Sequence, residues 1–79
     1  MVDPALQEMA NKLAVDCLAV QKETGEDRLF MELATVLGAA SQTLEEAFLT
    51  AIRTRMAEQK GRAFLATKLK AHRAAAKSE

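Results

Sequence analysis

Tryptophan and tyrosine are absent from the chain, and only three phenylalanines stand in for them. The core must therefore be thin, and no tyrosine or tryptophan is present to stack nucleic-acid bases. A single cysteine, Cys17, excludes an intramolecular disulfide, and its place near Leu13 and Val20 suits a small buried hydrophobe. One histidine, His72, completes a poor inventory for chemistry. One His and one Cys without close ligand spacing do not make a metal site. A Cys17–His72 nucleophile pair would have to meet through a fold that nothing in the pattern predicts. The three glycines, Gly25, Gly38 and Gly61, are isolated from one another. None sits between a strand and a helix, so no phosphate-cradling loop is expected and each reads as punctuation. No stretch approaches the roughly 18 apolar residues of a membrane span. The first residues lack the basic region and apolar run of a signal peptide, which makes a cytoplasmic location the expectation. Strand-like alternation, solenoid repeats and proline- or serine-rich linkers are also missing.

What is present is helical periodicity. Asp3-Pro4 opens the first helix, with Asp3 placed to cap and Pro4 at the first helical position, where its missing N–H is not needed. Leu6, Met9, Ala10, Leu13, Cys17 and Val20 form its apolar stripe; Val15 and Leu18 fall off it. Thr24-Gly25-Glu26-Asp27 interrupts the pattern, either with Gly25 closing the first helix or with Thr24 capping the second. Leu29, Phe30, Leu33, Val36, Leu37 and Ala40 give the second helix its apolar side. Met31 points elsewhere, as an ordinary exposed residue or a contact for a partner. The methionines Met1, Met9, Met31 and Met56 do not group as a cofactor box.

Gly38 through Gln42 forms the second break, and the Thr43…Glu46 spacing predicts a capping box at the start of the third helix. Leu44, Phe48, Ile52 and Met56 recur at four-residue spacing, flanked by Ala47 and Ala51. Past Gly61, Phe64, Leu65 and Leu69 leave that stripe. Gly61 is therefore expected to break or cap the helix, although an uninterrupted helix would cost only about 1 kcal/mol relative to alanine. The expected fold is all-α: a small bundle of three main helices over residues 3–23, 26–40 and 43–60, with a fourth, basic helical segment over 62–76. The tail from Ala74 to Glu79 is expected to fray.

At 79 residues the chain forms one domain near the size where a core is marginal, so completion by homodimerisation is expected. The zero net charge hides a division. Asp3, Glu8, Asp16, Glu23, Glu26, Asp27, Glu32, Glu45 and Glu46 precede residue 47, against Lys12, Lys22 and Arg28. Beyond it, Arg53, Arg55, Lys60, Arg62, Lys68, Lys70, Arg73 and Lys77 face only Glu58 and Glu79. The basic end of one copy has the charge to lie along the acidic helices of another.

No catalytic, cofactor-binding or metal-binding residues are assigned, and the chain reads as a non-enzymatic protein–protein interaction module, an adaptor or regulator. The expected contact residues are Arg62, Phe64, Leu65, Lys68, Leu69, Lys70 and Arg73, and the expected partners are a second copy and a further protein, not a membrane. The competing reading is a nucleic-acid-binding protein that uses the same basic segment on phosphates. Its basic residues read as spread around the helix, which weakens it.

Overall fold

The computed structural model describes residues 3–77; Met1, Val2, Ser78 and Glu79 lie outside the described residues. Three helices account for 92% of these residues, with no strand among them. They are α1 (Pro4–Thr24), α2 (Leu29–Ala40) and α3 (Gln42–Lys77).

The first helix starts as its sequence demands. Asp3 Oδ1 accepts from the Ala5 N–H at 3.0 Å, and Pro4 occupies the first turn. At the other end Gly25 takes φ 78°, in the left-handed region, and its N–H donates to the Gln21 carbonyl at 2.8 Å. That is the conformation glycine adopts without a Cβ penalty. Of the two expected roles for this turn, Gly25 as the terminator is the one realised. Thr24 belongs to α1, with its hydroxyl donating to the Val20 carbonyl at 2.8 Å.

The second helix begins at Leu29, three residues later than the expected start at residue 26, and Arg28 supplies no side-chain cap. A cap arrives from α1 instead: Gln21 Oε1 accepts from the Phe30 N–H at 2.9 Å. A backbone donor left over at the start of α2 is thus satisfied across the turn.

The link from α2 to α3 differs from the expected five-residue break. Gly38 is helical, and Ser41 alone separates the helices. Ser41 is extended (φ −158°, ψ 107°); its N–H donates to the Leu37 carbonyl at 2.7 Å, and its Oγ accepts from the Leu44 N–H at 3.2 Å. One residue closes α2 and caps α3. The capping box expected at Thr43 and Glu46 does not form, because both already lie inside the helix. A Cβ at Gly38 would stand 2.7 Å from Glu45 Oε2, so the missing side chain lets the first turn of α3 fold closely over the end of α2.

Asp3, Leu6 and Gln7 lie beside Thr43, Ala47 and Thr50, whereas Phe30, Met31 and Ala34 lie beside Leu49, Met56 and Lys60. The helices therefore run up, down and up, as short links require. Their shared core is Ala14, Cys17, Ala34, Phe48, Ala51 and Ile52, with Leu13, Leu18, Leu29, Phe30, Leu33, Leu37, Leu49 and Met56 packed against it, so Leu18 joins the buried side although it falls off the expected stripe. Phe48 and Ile52 are the largest side chains fully buried there. The remaining buried positions are alanine or cysteine, so the helices approach closely and bury little apolar volume. Four residues from the expected stripes stay outside: Met9, Val20, Val36 and Ala40 are exposed.

Gly61 does not end a helix. The third helix runs unbroken for 36 residues, and the expected separate segment over 62–76 is its continuation. Gly61 has no neighbour within 4 Å of where a Cβ would be. Its propensity cost of about 1 kcal/mol is outweighed by the alanine, leucine, lysine and arginine around it, all strong helix formers. Elongation from a helix already anchored in the bundle also avoids the cost of nucleation. The change of stripe at Gly61 marks a change of surroundings, not of backbone.

Candidate interaction surface

Every residue from 57 to 77 is exposed. These twenty-one residues of α3 form an exposed arm roughly 30 Å long at 1.5 Å per residue, of which Ala57 and Lys60 still border α2 and the later residues project beyond the bundle. The radius of gyration is 16.9 Å and the longest extent 59 Å. A compact chain of this length would have a radius of about 12 Å.

The continuous helix fixes how the seven expected contact residues face. At about 100° per residue, Leu65 and Leu69 stand about 40° apart and form one apolar ridge. Phe64 lies about 140° from Leu69 around the helix. The expected cluster of Phe64, Leu65 and Leu69 is thus divided. Phe64 keeps company with Lys68, whose Nζ sits 5.8 Å from the ring centroid, a cation–π contact. All three side chains remain open: Phe64 is 60% exposed, Leu65 66% and Leu69 47%.

The basic residues are better ordered than their spread along the sequence suggested. Arg62, Lys70, Arg73 and Lys77 fall within an arc of about 80°. They continue the line that carries Phe48 and Ile52 into the core. The direction that is apolar inside the bundle becomes cationic outside it. Lys60 and Lys68 lie on other sides. Arg62 also holds Glu58, one turn earlier, with Nη2 to Oε2 at 3.1 Å. Both side chains are largely exposed, so this pair contributes only about 0.3–0.5 kcal/mol to the helix.

Two grooves on the bundle complete the surface. Between α2 and α3, where the arm departs, Phe30, Met31, Ala34, Leu49 and Met56 line a cleft bordered by the cations Arg53 and Lys60. Between α1 and α2, Val20, Leu29, Leu33 and Val36 line a second, with Asp16 on one wall and Glu32 on the other. Sequence reading passed over this second groove. Its signal was a repeated spacing: Asp16 precedes Val20 by four residues and Glu32 precedes Val36 by four, so each helix presents one acid beside one valine.

The groups suited to covalent or metal chemistry do not converge. Cys17 is buried in the bundle at 4% exposure, and desolvation pushes its thiol pKa above the ordinary value. His72 stands on the arm, exposed to solvent. Among the described residues no group of three His, Cys, Asp or Glu side chains is placed to hold a metal ion, and no helix is long and apolar enough to cross a membrane. Comparison of the chain with protein-family models, curated proteins and solved structures found no match. A functional reading therefore rests on the arm and grooves themselves.

Proposed function

We infer that this protein is a non-enzymatic interaction module, an adaptor or regulator, that engages another protein through the basic arm of α3. The observation that carries this reading is the exposure of every residue from 57 to 77 in an unbroken helix. The bundle core lies on α1, α2 and the first half of α3, and among the described residues none of the arm belongs to it. Its Leu65–Leu69 ridge has Arg62 and Arg73 on one flank and Lys68 on the other. An amphipathic helix of that kind suits a groove with an apolar floor and acidic walls.

A photo-cross-linker at Leu69 of the full chain tests the reading, with one at Glu46 as control. Protein adducts are expected from Leu69, not from Glu46, and should disappear when Leu65 is replaced by aspartate. Absence of arm-dependent adducts would refute it.

The alignment of Arg62, Lys70, Arg73 and Lys77 supports a second reading, in which the arm binds nucleic-acid phosphates. Four phosphate contacts would give a slope of about −3.6 in a plot of log affinity against log salt. The protein reading predicts no saturable binding of duplex or single-stranded DNA or RNA, measured by fluorescence anisotropy at low salt. Saturable binding with that slope, lost on charge reversal of Arg73, would transfer the function to nucleic acid.

A further inference from the structure

We propose that the arm's partner is a second copy of this chain: the Leu65–Leu69 ridge of one protomer seats in the α1–α2 groove of the other, and the exchange is reciprocal. This assignment rests on the interaction reading above and names its occupant.

Charge selects the groove. The cleft between α2 and α3 carries Arg53 and Lys60 at its border and would repel a basic helix. The cleft between α1 and α2 carries Asp16 and Glu32, one on each wall, around a floor that includes Val20, Leu29, Leu33 and Val36. A helix seated with Leu65 and Leu69 downward directs Arg62 and Arg73 to one wall and Lys68 to the other. Both walls are acidic, so the match does not depend on which way the helix runs.

Reach selects a second copy. The helix of the arm is continuous with the core segment of α3, so the arm extends away from its own bundle and cannot return to its own α1–α2 groove. The arm has 21 residues and α1 has 21 residues, so one spans the length of the other.

Surface area agrees. A compact globule of 8.6 kDa exposes about 4,700 Å², whereas this chain exposes 6321 Å². The excess of roughly 1,600 Å² per chain exceeds the roughly 800 Å² that each partner buries in a standard stable interface. Val20 and Val36, at 43% and 66% exposure, are the groove residues that seating would cover. Two equivalent arm-in-groove contacts satisfy closed twofold symmetry without leaving a free edge for further growth.

Sedimentation equilibrium of the full chain, over a range of concentrations at low and high salt, tests the proposal. The native chain is expected to be a dimer that weakens as salt rises. Leu65→Asp with Leu69→Asp should give a monomer whose circular dichroism remains helical, while Thr67→Ala, on the opposite side of the same arm, should leave the dimer intact. A charge exchange fixes the groove. A chain with Asp16→Arg and Glu32→Arg, and another with Arg62→Glu and Arg73→Glu, should each be monomeric alone and form a one-to-one heterodimer when mixed. A native chain that stays monomeric at high concentration and low salt would overturn the proposal. So would a dimer indifferent to the leucine substitutions, or charge-exchanged chains that fail to pair. If the chain is monomeric while Leu69 still cross-links to a different protein, the second-copy assignment fails and the interaction reading stands. If neither occurs, both fail.

Discussion

Replacing Gly61 by alanine should stabilise the arm while leaving the bundle unchanged. Gly61 lies inside α3, and the space around its absent Cβ is open to 4 Å. Alanine therefore brings its full propensity advantage of about 1 kcal/mol without a steric cost. Because residues 57–77 are exposed throughout, the arm opens without disturbing Phe48 or Ile52, and the gain should appear in local opening alone. By the usual conversion, about 1 kcal/mol is roughly a fivefold slowing of amide exchange. Hydrogen exchange followed by NMR should show that slowing for amides around and beyond residue 61, with none for the amides of α1. The measurement is best made on chains that also carry Leu65→Asp and Leu69→Asp, so that docking of the arm does not mask local opening. Unchanged arm exchange, or non-helical carbon shifts at residues 59–63 of the native chain, would refute a continuous helix. The same substitution at Gly25 should have the opposite sign, because φ is 78° there and a Cβ costs about 1–2 kcal/mol in that region.

Phe48→Ala removes the larger of the two big, fully buried side chains and should cost about 3–5 kcal/mol; in so thin a core, urea titration should then show no cooperative transition. Gln21→Ala removes the acceptor for the Phe30 N–H and should lower stability by about 1 kcal/mol, with the earliest loss of exchange protection in the first turn of α2. Cys17 should resist thiol reagents at neutral pH in the folded chain and react fully in denaturant. The sign of its pH effect follows from burial. A raised thiol pKa means that the folded state holds its proton more tightly than the unfolded state, so stability should fall as pH rises through and above the ordinary value of 9.0. A Cys17→Ala chain should lack that alkaline loss.

The helical class, the Asp3 cap and the Gly25 turn were legible in the sequence because each depends on residues adjacent along the chain. The starts of α2 and α3 were less so. Gln21 reaches the Phe30 N–H only after the turn has folded, and Ser41 competes with the plausible Thr43–Glu46 box through a geometry that spacing alone does not rank. Gly38 and Gly61 share the residue type of Gly25 but neither its φ nor its role. The difference lies in surroundings: Glu45 packs over Gly38, and solvent surrounds Gly61. The arm's apolar residues can be read from the sequence, but their directions depend on the continuity of the helix. A break at Gly61 would leave Leu65 and Arg62 with no fixed phase relative to Phe48. The α1–α2 groove could not be seen from either helix separately, since Asp16 and Glu32 become its walls only when the helices are paired.

The unbroken passage of α3 from core to arm makes the bundle a mechanical reference for whatever the arm touches. Each residue inserted between Ile52 and Arg62 would rotate the Leu65–Leu69 ridge by about 100° and advance it by about 1.5 Å. Deleting two residues would turn the ridge away from its target while leaving every contact residue present. Inserting seven would restore its direction to within about 20° and displace it by about 10 Å. The nine residues between those positions therefore set the direction of the ridge by their number, independently of the side chains they carry.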